Sequence, residues 1–429
     1  MHNNKAPGDN PQTSNSQTPD NDESSVSIYD VFRQHHRENS RPINLTVGNP
    51  NLPPPAEYYD AMNAVLKDIS SQQWNGHGYM VEADPFGLCK KISNGLSDQF
   101  RVNFDSQDVL ITVGATGALD VISKTVLDPA GPCATAVEDN EVIIMAPYFV
   151  EYINIVEANG GVPVVVHTDA TFHLDFAAIE ASIRPRTKMI WINSPNNPTG
   201  TVYSENELAQ LARIVAQKEK AFGTRIYIVE DAVYDTIYFD KGEVPSLVNL
   251  HPRLFRVNSW SKSLSLSGER IGYFATHPEI GDVSERAALR DALFLNMRMR
   301  VVHAPLLQHR IIARLPFGCV TDIDYYRRNI ETLHGCIDSL GFKVMPPQGT
   351  FYLWATLPTQ FEDESQFRQL AMHGNEPLLY LPGFLFGGNL YRRCVRFTAC
   401  VGYSEIERAC GRLKEIISNS VEKKVSTCR

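Results

Sequence analysis

Seven short runs of the chain are dense in valine and isoleucine. They do not alternate apolar with polar positions, and polar or helical-period segments separate most of them. Such runs are typical of strands that are covered on both faces of a parallel sheet. The pattern therefore predicts an α/β fold with a mostly parallel, seven-stranded sheet. The predicted strands are 109–113 (VLITV), 142–145 (VIIM), 162–166 (VPVVV), 188–192 (KMIWI), 226–229 (IYIV), 254–257 (LFRV) and 271–274 (IGYF).

The segment after the first of these strands has the apolar spacing of a helix. Leu119, Ile122 and Val126 stand at i, i+3 and i+7. This spacing predicts a helix from Gly117 to Asp128. Its N-terminus, with unpaired backbone N–H groups, then faces the carboxyl edge of the sheet.

The distribution of apolar residues and predicted elements divides the chain into three regions. Residues 1–25 contain almost nothing apolar, which predicts a disordered tail, and we expect folded structure to begin near Val26. The predicted sheet lies within 57–303, which we expect to form a large domain. Helices and short strands make up the rest of the chain, and we expect 26–56 and 304–429 to form a smaller α+β domain together.

Composition narrows the class of partner. The chain has 429 residues and a formal net charge of −9, which disfavours nucleic acid and makes a small molecule the expected ligand. Its eight cysteines are scattered, without the spacing of a metal site or of a disulfide framework. No apolar stretch reaches the roughly 18 residues that a membrane span needs, and there is no signal-peptide core. We therefore expect a cytoplasmic protein without a metal site.

Polar residues follow five of the predicted strands. Ligands of open α/β sheets bind outside the carboxyl ends of the strands, so these residues are candidates for a site. Asn197 stands in the turn NSPNNPTG, Asp231 in EDAVY and Lys262 in SWSKSLSLSGER. Taken singly, each also fits a purely structural role: an ordinary Asn-Pro turn, a buried helix N-cap and a solvated basic loop.

Taken together, the three segments are far more specific. Asp231 follows Asn197 by 34 residues, Lys262 comes 31 residues later, and Arg270 a further 8. N-P-T-G combined with S-x-S-K-x-x-x-x-x-G-x-R resembles the aspartate aminotransferase family, the class I/II pyridoxal-phosphate enzymes of fold type I. The resemblance covers roughly residues 40–410. It implies a PLP-dependent aminotransferase that transfers the amino group of an L-amino acid to a 2-oxo acid.

The resemblance assigns roles around the cofactor ring. Lys262 forms the Schiff base with pyridoxal 5'-phosphate and, once freed, moves the proton at the substrate α-carbon. Asp231 faces the pyridine nitrogen and keeps it protonated. Asn197 and Tyr234 hydrogen-bond the 3'-oxygen of the ring. Tyr148 is the ring-stacking residue.

The cofactor phosphate needs donors and positive charge. By the resemblance, Ala115 and Thr116 offer backbone N–H groups at the start of the helix that follows the first predicted strand of the sheet. Ser259 supplies a hydroxyl and Arg270 a guanidinium. Tyr79 from the neighbouring subunit completes the phosphate site, which implies a homodimer with shared active sites. The family has glycine five residues after this tyrosine, and here Asp84 stands in its place.

The resemblance also implies how the substrate is held. Arg396, in CVRFTACVG, binds the substrate carboxylate, while Asn197 and the backbone at Gly48 lie beside it. Residues 296–305 correspond to the loop that reaches the neighbouring active site. Arg298 or Arg300 in that loop either pairs with an acidic substrate side chain or belongs to the solvated surface.

Two other functions stay open at this point. The first keeps the cofactor and changes the reaction, as in the cyclases, lyases, decarboxylases and oxidases that share the fold. The second is a regulator with an aminotransferase-like domain, which would need a basic DNA-binding domain that residues 1–25 cannot form. The sequence does not identify the amino-acid substrate.

Overall fold

The computed structural model describes residues 41–71, 77–80, 82–134 and 140–427, with side chains up to residue 420. The predicted tail at 1–25 and the expected start of folded structure near Val26 lie outside the described residues. Within them, thirteen strands and twelve α-helices are formed.

Each of the seven predicted strands is present, with bounds that differ from the prediction by one or two residues. The strands, in chain order, are β1 Ile43–Asn44, β2 Val109–Thr112, β3 Glu141–Ala146, β4 Val162–His167, β5 Thr187–Asn193, β6 Tyr227–Asp231, β7 Leu254–Ser259, β8 Gly272–Thr276, β9 Lys343–Val344, β10 Tyr352–Thr356, β11 Leu378–Leu379, β12 Leu381–Pro382 and β13 Cys394–Thr398.

Strands β2 to β8 form one seven-stranded sheet in the order β2-β8-β7-β6-β5-β3-β4. The neighbours from β7 to β4 pair in parallel, and only β8 runs antiparallel to both of its neighbours. The predicted mostly parallel α/β sheet is thus confirmed. Because the carboxyl ends of β2, β3, β5, β6 and β7 meet at one edge, the polar segments that follow these strands converge there.

The helices lie between the strands and beyond them. They are α1 Ala56–Ser70, α2 Leu88–Phe100, α3 Gly114–Val126, α4 Tyr152–Ala158, α5 Phe176–Ser182, α6 Glu205–Phe222, α7 Trp260–Ser263, α8 Val283–Val301, α9 Leu306–Ile312, α10 Ile323–Ser339, α11 Glu364–Ala371 and α12 Tyr403–Thr427.

Helices cover both faces of the large sheet. Apolar residues of α1, α2, α5, α6 and α9 pack on one face, and those of α3, α4 and α8 pack on the other. Strands β3, β5, β6 and β8 are buried along their whole length as a result. The edge strand β4 departs from the expectation, since Val162 and Val165 are 45% and 39% exposed.

The helix α3 begins at Gly114, three residues before the predicted start at Gly117. Gly114 has a φ of 70°, a left-handed conformation in which a residue without a β-carbon is not strained. Ala115 and Thr116 therefore lie inside the first turn of α3 rather than ahead of it. Their N–H groups still belong to the unpaired set at the helix start.

A second, four-stranded sheet has the order β12-β13-β10-β9, and β1 pairs in parallel with β11. Helices α10, α11 and α12 pack with these strands around a separate apolar core. The division into domains 57–303 and 26–56 with 304–429 stays a prediction. Among the residues described, no helix is long and apolar enough to cross a bilayer.

Candidate active site

Lys262 lies on the short helix α7, directly after the carboxyl end of β7. Ser259 caps this helix, because its side chain accepts a hydrogen bond from the backbone N–H of Ser261. The Lys262 Nζ donates to the carbonyl oxygen of Gly48 at 2.5 Å. The structure thus brings Lys262 and Gly48, 214 residues apart in the sequence, to the same point.

Asp231 ends the neighbouring strand β6 and is buried. Its Oδ2 accepts a hydrogen bond from the hydroxyl of Tyr152 at 2.5 Å, while Oδ1 has no partner among the residues described. Burial raises the pKa of the Asp231 carboxyl to about 6, against the opposing effects of the Tyr152 hydroxyl, the Val233 backbone and the Lys262 charge. A buried carboxylate oxygen without a donor is unfavourable, so this atom needs a bound N–H group.

Tyr234 lies three residues beyond β6, and its hydroxyl stands 3.1 Å from that of Tyr352 on β10. Both rings are buried, and burial raises the pKa of the Tyr234 hydroxyl well above its ordinary value. Tyr352 also lies against Gly48, where the absence of a β-carbon makes room for its hydroxyl. Tyr352 thereby connects the predicted site residues Tyr234 and Gly48.

Arg396 on β13 is buried beside Asn197. Its Nη1 donates to Oδ1 of Asn197 at 2.8 Å, and its Nη2 donates to the carbonyl oxygen of Thr46 at 2.6 Å. The guanidinium lies 4.2 Å from the ring centroid of Tyr352 and 5.0 Å from that of Phe386. Burial lowers the pKa of Arg396, because an unneutralised guanidinium is poorly solvated there. An anion is the ligand that such a group favours.

Arg270 packs against the start of α3. A β-carbon on Gly114 would lie 2.8 Å from Nη2 of Arg270, so the guanidinium packs directly on the helix start. The Nη1 of Arg270 donates to the carbonyl oxygen of Ser267 at 2.8 Å, which fixes the side chain. Ser259, which is close to Arg270 in the sequence, is buried, and its Oγ lies 2.8 Å from that of Ser261. Helix N–H groups, hydroxyls and a guanidinium together suit a phosphate.

Tyr148 and Tyr79, the two other aromatic residues predicted to contact the cofactor, lie in different surroundings. Tyr148 follows β3, is half-buried, and its backbone N–H donates to the carbonyl oxygen of Phe386 at 2.9 Å. Tyr79 is 81% exposed and contacts only the edge of the His303 ring among the aromatic contacts of the described residues. The structure therefore does not bring Tyr79 into the site of its own chain.

The sequence-based expectation for residues 296–305 needs correction. Residues 296–301 are the last turns of α8 rather than a loop. Arg300 pairs with Asp120 and donates to Asn159 at 2.7 Å, so it is engaged within its own chain rather than available to a substrate. Arg298 lies over the ring of Phe294 at 5.7 Å.

Several residues of the site were missed by the sequence reading. They are Tyr152, which holds Asp231, and Tyr352, Thr46 and Phe386, which surround Arg396. Tyr352 stands in the apolar run TFYLWATL, within the part of the chain expected to form helices and short strands, and this run pairs with the strand that carries Arg396. Tyr152 has no local pattern, since its contact spans 79 residues.

These residues fit pyridoxal 5'-phosphate. A protonated ring nitrogen would supply the donor that Oδ1 of Asp231 lacks, and the start of α3 with Arg270 would receive the phosphate. An amine, Lys262, lies at the same sheet edge. Fold and site together define a fold type I PLP-dependent enzyme.

Comparison with known proteins identifies the family. The family described as "Aminotransferase class I and II" matches residues 40–413. The "Probable aspartate aminotransferase" of Methanocaldococcus jannaschii is 28% identical over 87% of this chain and 93% of that protein. The "Aspartate aminotransferase" of Bacillus subtilis is 26% identical over 87% of this chain and 91% of that protein. The chain therefore belongs to the class I and II aminotransferase family.

Solved structures agree in fold. An amino transferase from Eubacterium rectale has a TM-score of 0.77 and 29% identity, covering 88% of this chain and 91% of that one. The aspartate aminotransferase of Thermus thermophilus with maleate has a TM-score of 0.76 and 23% identity, covering 90% of this chain and 94% of that one. The chain is a PLP-dependent aminotransferase acting on amino acids and 2-oxo acids, and the predicted family, fold class, cofactor and activity are confirmed.

Proposed function

We propose that Lys262, Asp231 and Tyr234 perform the amino-group transfer from an L-amino acid to a 2-oxo acid. The observation that carries this proposal is the buried carboxylate of Asp231, with one oxygen held by Tyr152 and the other without a partner. Lys262 follows β7, which pairs in parallel with the strand β6 that ends at Asp231, so the amine and the carboxylate come after the same edge of the sheet. An acid that holds a ring nitrogen and an amine that handles a carbon-bound proton are the two groups the reaction requires.

Each group has a defined part in this proposal. When bound, pyridoxal 5'-phosphate supplies an electron sink for the substrate α-carbon. Asp231 accepts the N–H of the ring nitrogen, and its negative charge keeps that nitrogen protonated. Lys262 would hold the cofactor through its amine and, once released, would accept the α-proton on Nζ and pass it to C4′ of the cofactor. Asn197 and Tyr234 donate to the 3'-oxygen of the ring.

The remaining cofactor contacts involve the start of α3 and Arg270. We assign the phosphate to the N–H groups of Ala115 and Thr116, the hydroxyl of Ser259 and the guanidinium of Arg270. These donors are neutral or positive, and the helix dipole adds to them. Tyr148 stacks on the ring.

The substrate carboxylate binds at Arg396. The guanidinium is buried and oriented by Asn197 and the Thr46 carbonyl, so it offers its remaining N–H groups in a fixed direction. The backbone at Gly48 lies alongside, where the carbonyl already reaches Lys262. Both the amino acid and the oxo acid carry this carboxylate, so one arginine serves both halves of the reaction.

The enzyme works as a cytoplasmic homodimer in this proposal. The seven cysteines within the described part of the chain are free thiols, as a reducing compartment favours. Tyr79, exposed on its own chain, reaches the phosphate of the partner site. Mixing inactive Lys262→Ala with an inactive Tyr79 variant should then restore activity through hybrid dimers. Full activity of a monomer in sedimentation would contradict the shared site.

The central experiment locates the cofactor linkage. Borohydride reduction of the protein with pyridoxal 5'-phosphate, followed by peptide mass spectrometry, should fix the label on Lys262. Lys262→Ala should abolish both the visible absorbance and turnover, whereas Lys220→Ala, on the exposed last turn of α6, should leave both unchanged. A colourless wild-type protein, or a label on another lysine, would overturn the proposal.

A second measurement separates transamination from other reactions. Amino acids added without an oxo acid should convert the cofactor to its amine form, with release of one oxo acid per site, seen by absorbance and mass spectrometry. Turnover that needs no oxo-acid acceptor and shows no such conversion would favour a lyase, decarboxylase, cyclase or oxidase.

A further inference from the structure

A buried charged network lies on the strands β6 and β7, which precede the active-site segments. Arg256 on β7 is 3% exposed and stands opposite Glu230 on β6, which is 2% exposed, in the register of the sheet. Their side chains form an ion pair. Because successive side chains of a strand alternate in direction, Glu230 projects from the sheet face opposite to that of Asp231. The network therefore lies outside the active site.

Arg256 also reaches beyond the end of β6. Its Nη2 pairs with Oδ2 of Asp235 at 2.7 Å, and the same oxygen accepts the Nδ2 of Asn258 at 2.8 Å. Asp235 directly follows Tyr234 in the chain. The guanidinium thus bridges a strand residue before Asp231 and a loop residue after Tyr234.

The other end of the network reaches the lysine segment. The Oδ1 of Asn258 accepts the backbone N–H of Ser259 at 2.7 Å, and Ser259 caps the helix that carries Lys262. An unbroken set of contacts therefore connects Asp235, beside Tyr234, to the helix that holds the amine.

A buried ion pair is a weak source of stability, since desolvation of the charges offsets most of their attraction. Its geometry is informative instead, because a guanidinium fixes two carboxylates in one plane. We propose that Arg256 is a positioning residue that sets Tyr234 relative to Lys262, by holding Glu230 and Asp235 across the ends of β6 and β7. This proposal rests on the function proposed above for Tyr234 and Lys262.

The residues around Arg256 leave room for its guanidinium to be removed while the protein still folds. Asp235, Arg256 and Asn258 line a cavity of about 560 Å³, together with Trp260 and Ser263. The Oδ1 of Asp235 and the Nε of Arg256 are buried without a partner in the described chain, whereas the Asp235 side chain as a whole keeps 16% of its surface exposed. Removal of the guanidinium leaves Asp235 with access to solvent.

The test uses the holoenzyme and reads the pKa of the cofactor linkage to Lys262 from a pH titration of its visible absorbance. A Tyr234 hydroxyl that is well placed on the 3'-oxygen lowers this pKa, so misplacement raises it. Arg256→Met should raise it by about half to one unit. The matched control is Arg253→Met, at the other end of β7, which breaks a two-pronged ion pair with Glu219. This control should lower the melting temperature and leave the linkage pKa unchanged.

A second variant separates position from charge and serves if Arg256→Met does not fold. Asp235→Asn breaks the ion pair while it removes a negative charge, and a loss of nearby negative charge alone lowers the linkage pKa. We expect the pKa to rise in Asp235→Asn as well. An unchanged or lowered pKa in Asp235→Asn, or an unchanged pKa in Arg256→Met, would overturn the positioning role. A wild-type protein with no visible band would instead refute the proposed function itself.

Discussion

A β-carbon added to Gly48 would lie 1.7 Å from the hydroxyl oxygen of Tyr352. The Tyr352 ring cannot easily retreat, because it lies 4.2 Å from the guanidinium of Arg396 and its hydroxyl contacts that of Tyr234. Gly48→Ala should therefore displace Tyr352 and lower the free energy of unfolding by about 1 to 3 kcal/mol. The KM for the amino acid should rise as well, measured by steady-state kinetics. In the control Gly335→Ala, a β-carbon meets no atom within 4 Å and the helix interior favours alanine, so the free energy of unfolding should not fall and KM should stay unchanged.

A second substitution tests the cause of this effect. In Gly48→Ala with Tyr352→Ala, the clash is absent, so the two changes should be less harmful together than their sum predicts. Additive losses in the double-mutant cycle would show that Gly48 is required for another reason.

Arg396→Lys should weaken the binding of both substrates. Lysine keeps the charge and loses the planar fork that Asn197 and the Thr46 carbonyl orient. We expect kcat/KM for amino acid and oxo acid to fall by about ten- to a hundredfold, with the visible band of the cofactor retained. The control Arg393→Lys alters the residue directly before β13, whose Nη2 binds the Leu357 carbonyl at 2.9 Å. Equal losses in both variants would argue against a substrate role for Arg396.

Asp231→Asn should stabilise the protein freed of its cofactor. The folded-state pKa of Asp231, about 6, lies above the ordinary value of 3.8, so the unfolded chain ionises first as the pH rises. Folding stability therefore falls between these two pH values and stays lower above them. We expect Asp231→Asn to exceed wild type by on the order of 3 kcal/mol at pH 7.5, with the difference vanishing near pH 4. Urea unfolding at several pH values checks this, and a difference independent of pH would contradict it.

Tyr152→Phe should weaken the hold on the cofactor. The Tyr152 hydroxyl is the donor that orients Asp231, and hydrogen bonds to charged groups contribute about 1.5 to 3 kcal/mol. Cofactor affinity and the rate of the half-reaction should fall by about ten- to a hundredfold. Tyr203→Phe removes another buried hydroxyl and leaves the Tyr152–Asp231 bond in place. A loss of equal size in Tyr203→Phe would mean that Tyr152 acts only through packing.

The large sheet was predictable because strands that are buried on both faces consist of runs rich in Val and Ile, which the sequence shows. The VPVVV run shows where this reasoning stops, since the same local pattern folds as the edge strand β4 with exposed valines. The order of strands in the sheet, not the composition of the run, decides which strand lies at the edge. The predicted start of α3 was three residues late. Gly114 and Gly117 are both in its first turn, and the sequence does not show which of the two glycines begins the helix.

The residues of the candidate site that stand in sequence motifs were predictable. Lys262, Asp231 and Asn197 lie at strand ends, as the rule for open sheets requires. The residues that hold them were not predictable, because the Tyr152–Asp231 and Tyr234–Tyr352 contacts span 79 and 118 residues. Arg393, directly before β13, likewise donates to the carbonyls of Leu357 and Pro358, more than 30 residues away in the chain. Such contacts depend on how distant segments pack, which no local pattern encodes.

The edge strand β4 carries Pro163, and this proline limits how molecules can associate. The N–H of Val162 donates inward to the carbonyl oxygen of Asn140 at 2.8 Å, so the nitrogen of the next residue points away from the sheet. At Pro163 that nitrogen bears no hydrogen and offers nothing to an incoming strand. The exposed edge of β4 is thereby a poor template for another strand, so the proline opposes fibrous growth from this side of the sheet.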